Sequence, residues 1–270
     1  MGGGILSGIP YTWDEGLVVL LSVSVLLLLV IIISVIKKIG VGKEFTIAIA
    51  KGGAQLFVIA LFLTFLFDFE LWYLLIWLLI GTMILVSGYT SAKRATNMPR
   101  AYQITTPAIL IGSTLVLVVL AVSRAMPMQP QFIVPLAGMV FGNSMAICSI
   151  SLERLLREIR VNITAIETSL SLGATGKQAM EEYGRFSIKA SLIPTIDRLK
   201  TLGIIFIPGA MAGLLIAGTD PRLAAEYQII VFLMIVGGGI VTALLVTYLS
   251  RKRIFNDAEQ LSEWVYQIKK

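Results

Sequence analysis

Apolar residues gather into seven runs, and the polar stretches between them are short with one exception. The runs cover residues 17–36, 45–67, 71–89, 104–122, 132–152, 202–218 and 228–250. An α-helix rises 1.5 Å per residue, so roughly 20 apolar residues cross a hydrocarbon core about 30 Å thick. The pattern predicts an all-α polytopic membrane protein with seven transmembrane helices. On this reading residues 1–250 are the membrane body, 153–201 are its long polar interval, and 251–270 are a tail. The first run is too long for a signal-peptide core and has no basic flank before it, so it reads as a retained helix. Trp72, Tyr73 and Trp77 open the third run as an interfacial aromatic cluster.

Charge orients the body. With the N-terminus outside, the interior segments are 37–51, 89–103, 153–201 and 251–270, and they hold 20 of the 22 Lys and Arg residues. Only Arg124 and Arg222 fall on the other side. The positive-inside rule therefore predicts an N-out, C-in topology in a cell membrane (inner or plasma), with the polar interval and the C-terminus cytoplasmic. Composition agrees: 57% of the 270 residues are hydrophobic, 14% are charged and mean hydropathy is +0.88. The pI of 9.5 reflects that asymmetry and carries no nucleic-acid signal. In the tail, Ile254, Ala258, Leu261 and Ile268 fall near one helical face with Trp264 beside them. An amphipathic helix on the lipid headgroups and a frayed solvated end both fit that pattern.

Much chemistry is excluded. Histidine is absent, which removes the commonest general base and any His-containing metal site. Gly42-Lys43 and Gly176-Lys177 are followed by Glu44 and Gln178, so neither belongs to a Walker loop. No nucleophile–base pair is visible, no catalytic residue is assigned, and the chain reads as neither an enzyme nor a cofactor protein. The runs carry almost no ionisable groups: Lys51 and Glu153 sit near cytoplasmic ends. A coupled-ion carrier ordinarily buries carboxylates, which disfavours secondary transport. The remaining intramembrane groups are Gln55, Thr82, Ser87, Asn143, Ser144, Cys148 and Ser149, with Met139, Met145 and Met211. Small hydroxyls usually cement helices and Met usually fills core; the amides of Asn143 and Gln55 are stronger candidates for contact. No metal ligand set is assigned. Pro208-Gly209 interrupts the sixth run and predicts a kink or gate, and Gly209 with Gly213 has the spacing of a close helix approach.

The long polar interval has its own pattern. Leu155, Leu156, Ile159, Ile163 and Ile166 recur at helical spacing, and Arg154, Arg157 and Arg160 mark another face. Gly173 permits a sharp turn and Thr175 can cap a second helix starting near Gly176, which Pro194 is expected to end. Two amphipathic helices at a glycine joint offer a handle for a partner protein.

Glu167, followed six residues later by Gly173 and then Ala174-Thr175, resembles the EAA-type coupling loop of ABC transporter permeases, with Thr168-Ser169 where that loop has two alanines. A wider likeness spans nearly the whole chain. Pro135-Leu-Ala-Gly-Met139, Gly142-Asn143, Ile193-Pro-Thr-Ile-Asp197, Pro208-Gly209-Ala-Met211 and Tyr227-Gln228-Ile229 occur in an order that resembles the FetB-type permease family. That family includes a bacterial iron-export ABC permease and plant aluminium-tolerance permeases. The resemblance implies a permease homodimer paired with a separately encoded ATPase subunit that binds the ATP, and iron as the exported ion. Coupling to the ATPase would fall to Glu167, Gly173, Ala174, Thr175 and Lys177. The substrate path would pass Met139, Asn143, Pro208, Gly209 and Met211. A standalone channel or carrier, and a non-transporting scaffold, are the competing readings.

Overall fold

The computed structural model describes residues 13–38, 40, 42–95, 98–125 and 127–267. The segment before Trp13, Met126 of the proline turn and Ile268 of the tail lie outside the described residues. Two compact units divide after Trp72.

The first unit is a hairpin of α1 (Trp13–Ile36) and α2 (Gly42–Asp68). Its turn uses Lys38 and Gly40 at φ of 51° and 79°, and the Gly42 N–H donates to Ser34 Oγ at 3.0 Å. Only 6% of the apolar window of each helix is buried. Two such helices have no core of their own, so their side chains suit hydrocarbon as solvent.

The second unit contains α3 (Trp72–Ala92), α4 (Tyr102–Val122), α5 (Pro130–Val161), α6 (Ile163–Ser171), α7 (Gly176–Lys200), α8 (Gly209–Ile216), α9 (Pro221–Ile254) and α10 (Glu263–Tyr266). Pro130 at N1 starts α5, where its missing N–H costs nothing. The cores between α4, α5 and α9 centre on Phe141, Val140, Ile109 and Val231, each no more than 1% exposed. The hydroxyls join helices: Ser91 Oγ donates to the Met145 carbonyl at 3.1 Å, and Thr105 Oγ1 to the Gly88 carbonyl at 2.7 Å. Among the described residues every regular element is a helix; β-pairing is confined to bridges at Leu202–Phe206 and Phe255–Leu261.

Six helices, α1 to α5 and α9, are long and apolar enough to cross a membrane. The run 202–218 is not a continuous helix, contrary to its hydropathy. Gly203 turns at φ 80°, its N–H donates to the Phe206 carbonyl at 3.0 Å, and the helix resumes only at Gly209 behind Pro208 as N-cap. Glycine at positive φ, the β-branched Ile204, Ile205 and Ile207, and proline each oppose helix there. Pro194, in turn, does not end α7, which runs to Lys200. α7 packs antiparallel to α9: a β-carbon at Gly176 would meet Phe255, and one at Gly184 would meet Thr247 at 3.0 Å. Thr195 and Arg198 reach the level of Val231 and Ile235. From there the broken segment and α8 carry the chain toward the start of α9, where the Met211 N–H donates to Gln228 Oε1 at 3.2 Å. The chain thus climbs beside α9 as two helical pieces. Gly209 and Gly213 have nothing within 4 Å of an added β-carbon, so their spacing serves no close approach within the described residues.

The tail is neither a single amphipathic helix nor a frayed end over its described residues. Asn256 Oδ1 accepts from the Ala258 and Gln260 N–H groups, Glu259 takes φ 57°, and the chain folds back so that Trp264 Nε1 donates to the Arg253 carbonyl at 2.9 Å. Leu261 and Val265 are buried with Ile254, Ile159, Ile166 and Met180. Of the apolar positions in the tail stripe, Ile254, Leu261 and Trp264 instead pack against residues of α5, α6 and α7, while Ala258 is exposed.

Candidate functional site

Two places collect the residues singled out by sequence. The first is the turn from α6 to α7. The Gly173 N–H donates to the Leu170 carbonyl and the Ala174 N–H to the Ser169 carbonyl, both at 3.0 Å, with Gly173 at φ 90°. This closes α6 in the Schellman arrangement, which needs a left-handed residue. Thr175 then caps α7 in a capping box: the Thr175 N–H donates to Gln178 Oε1 at 2.8 Å, and the Gln178 N–H to Thr175 Oγ1 at 3.4 Å. Glu259 from the tail accepts the Gly176 N–H, putting a carboxylate at the positive end of α7. Leu172, Gly173, Thr175 and Lys177 are exposed at the tip, Leu172 to 84%. Glu167 is exposed too, but its carboxylate accepts a hydrogen bond from the Tyr266 hydroxyl of the tail. That hydrogen bond, with some burial and the carboxylate charge, pushes the Tyr266 phenol above its ordinary value. Glu167, Gly173, Ala174, Thr175 and Lys177 therefore share one surface, and the tail is built into it.

The second place is a cavity of about 490 Å³ between α5, α7, α8 and α9. It is lined by Met139, Asn143, Pro208 and Gly209, four of the five residues expected on a substrate path. The fifth, Met211, contributes only its N–H, to Gln228. Asn143 Nδ2 donates to the Ile235 carbonyl at 3.1 Å, tying α5 to α9. Asn143 lies about 17 Å along α5 from Phe132 and about 14 Å from Leu152, the ends of its apolar run, so the cavity sits near the middle of the apolar band. By contrast Met145 packs with Cys148 and Leu152 in the core, and Thr82 Oγ1 bonds within its own helix.

Sequence reasoning missed Thr195, Arg198, Phe206 and Gln228, which line the same cavity. Arg198 falls in the long polar interval of the sequence, and it is the one ionisable side chain in the lining. Its neighbour Asp197 pairs with Lys200 at 3.8 Å, both exposed. A signal existed: Ile188, Leu192, Ile196 and Leu199 continue helical spacing past Pro194 into the run at 202. Among the described residues no group of three or more Cys, Asp or Glu side chains could hold a metal ion.

The likeness to other proteins is extensive. The model of an uncharacterised protein family, UPF0014, matches residues 17–255. The UPF0014 membrane protein STAR2 of Oryza sativa is 35% identical over 96% of this chain and 92% of its own length. Protein ALUMINUM SENSITIVE 3 of Arabidopsis thaliana is 33% identical over 93% of this chain and 92% of its own. The probable iron export permease protein FetB of Escherichia coli is 32% identical over 91% of this chain and 93% of its own. No solved structure matches. The apolar helices and these matches together make the chain a multi-pass membrane protein of the UPF0014 family.

Proposed function

We propose that the chain is the permease subunit of an ABC-type exporter, driven by ATP hydrolysis on a separate ATPase subunit. The observation that carries this reading is α7 itself. Its 25 residues, about 37 Å, join the Gly173 turn at one end to the cavity at the other without a break. A displacement imposed at Thr175 and Lys177 is transmitted along a stiff rod to Thr195 and Arg198. The segment after it, through Gly203 and Pro208, is the part able to yield. A broken crossing whose irregular backbone faces a cavity is the usual place for transport in a membrane protein.

In this reading α7 and α8 form a seventh, discontinuous crossing, with the N-terminus outside and the α6–α7 turn and tail in the cytoplasm of a cell-membrane permease. Two copies pair with the ATPase subunits, which bind the ATP; the chain itself holds no cofactor, catalyses no reaction and binds no nucleic acid. The likeness to a probable iron export permease supports a metal, with iron foremost, as cargo. The test is co-purification of the chain with a Walker-type ATPase and stimulation of its hydrolysis in lipid. Gly173→Asp should abolish both; if both persist unchanged, the coupling role is wrong.

A further inference from the structure

We propose that the cavity between α5, α7, α8 and α9 takes cargo that presents an oxyanion, carboxylate or phosphate, rather than a bare cation. The proposal rests on reading the chain as a permease and specifies what that permease carries.

Three observations converge. First, Arg198 is the only ionisable side chain in the lining, and it has no hydrogen-bond or ion-pair partner among the described residues. Asp197, the nearest carboxylate in sequence, is turned to Lys200. Arg198 is exposed in the chain by itself, and a guanidinium at this level of an apolar band marks an ion or substrate path. Its planar fork matches a carboxylate or phosphate through two parallel hydrogen bonds.

Second, the other polar groups are weighted toward donors. Gln228, which lines the cavity, is only 4% exposed; its Oε1 accepts from the Met211 N–H, which leaves its amide NH₂ without a partner among the described residues. Gly209 and Ala210, also in the lining, begin α8, so their N–H groups have no acceptor within that helix. The positive end of α8 adds to the Arg198 field. Asn143 Oδ1 and Thr195 Oγ1 are the acceptors on offer, since Asn143 Nδ2 is held by the Ile235 carbonyl. A bare divalent cation would meet these two oxygens, the Met139 thioether and an uncompensated positive charge. Hard cations require several oxygen ligands, normally with carboxylates among them.

Third, the volume of about 490 Å³ far exceeds a dehydrated ion and falls in the range of small-molecule sites. A small polycarboxylate, its metal chelate or a phosphate fits both the size and the charge.

The experiment measures equilibrium binding to the full-length chain in lipid nanodiscs, without an ATPase. The probes are citrate, ferric citrate, inorganic phosphate and ferrous chloride. At least one of the three anionic probes should bind. Arg198→Gln should weaken that binding at least fivefold, Arg198→Lys less so, and Lys200→Gln, outside the lining, should leave it unchanged. Ferric citrate binding without citrate binding identifies a chelate; citrate or phosphate binding identifies the anion itself. The proposal is overturned if no anionic probe binds, if Arg198→Gln weakens binding less than fivefold, or if ferrous ion alone binds. The Arg198→Lys variant separates loss of charge from loss of fold. Because no ATPase is present, failure here leaves the coupling test above readable, and failure of that test leaves this one readable.

Discussion

A close helix contact in the second unit is a sensitive place to perturb it. α4 and α9 pack along much of their lengths, and they meet at Gly112. A β-carbon there would lie 2.2 Å from Thr242 Oγ1 and 3.0 Å from both the Gly238 carbonyl oxygen and the Thr242 nitrogen. The hydroxyl can turn, within the limits of a β-branched side chain, but the two backbone atoms cannot. Gly112→Ala therefore forces the helices apart by several tenths of an ångström. Overpacking of this kind costs about 1–3 kcal/mol, and replacing glycine in a helix returns at most about 1 kcal/mol. The net expectation is a loss of about 1–2 kcal/mol. Gly237→Ala, whose β-carbon meets nothing within 4 Å, should be neutral or stabilise by up to about 1 kcal/mol. Adding Thr242→Ala to Gly112→Ala should recover part of the loss but not all of it, because the backbone contacts remain. Reversible unfolding in detergent, followed by tryptophan fluorescence, measures all four proteins. Equal stability of the Gly112→Ala and Gly237→Ala variants would refute the packing geometry.

Three further outcomes concern the tail and the cavity wall. The Tyr266 contact with Glu167 needs a protonated phenol, and its raised value means the contact stabilises fully below the ordinary tyrosine range near pH 10 and is lost only as pH rises through the higher folded value. Protection of the tail from protease should therefore be level from pH 7 to 9; a fall within that window, or an identical profile for Tyr266→Phe above pH 10, would count against it. Glu259→Gln removes the negative charge at the start of α7 and should cost about 0.3–1 kcal/mol, seen as faster amide exchange in the first turn of α7 and none elsewhere. Asn143→Leu deletes the bond to the Ile235 carbonyl and should cost about 1 kcal/mol in detergent unfolding while reducing transport further than that loss explains; a purely structural Asn143 would lower both in proportion.

The six helices long and apolar enough to cross were legible in the chain because hydropathy over 20 residues is a sum, indifferent to partners. The Gly173 turn and the Thr175 cap were legible for a related reason: a left-handed glycine and a side-chain cap are local devices, complete within a few residues. The break at 202–208 was half visible. Pro208-Gly209 announced an interruption, yet the apolar Ile204, Ile205 and Ile207 kept the window hydrophobic and hid the fact that the run has no continuous helix.

Arg198 and the tail could not be read that way. Hydropathy places Arg198 among loop charges, and only the register of α7 against α9 sets it beside Asn143 and Gln228. Sequence separations make the same point for the tail, where Tyr266 meets Glu167 99 residues away and Glu259 meets Gly176 83 residues away. By itself the chain determined that it is an apolar helical body, which end is basic, and where a glycine joint bends its polar interval. Those follow from transfer free energy, charge and backbone sterics, each of which acts within a residue or a turn. The tertiary structure alone decided how far α7 runs along α9, which donors converge on one cavity, and which tail residues bond beside the α6–α7 turn. Those depend on which faces find each other, and pairing between distant faces leaves no mark on any single stretch of sequence.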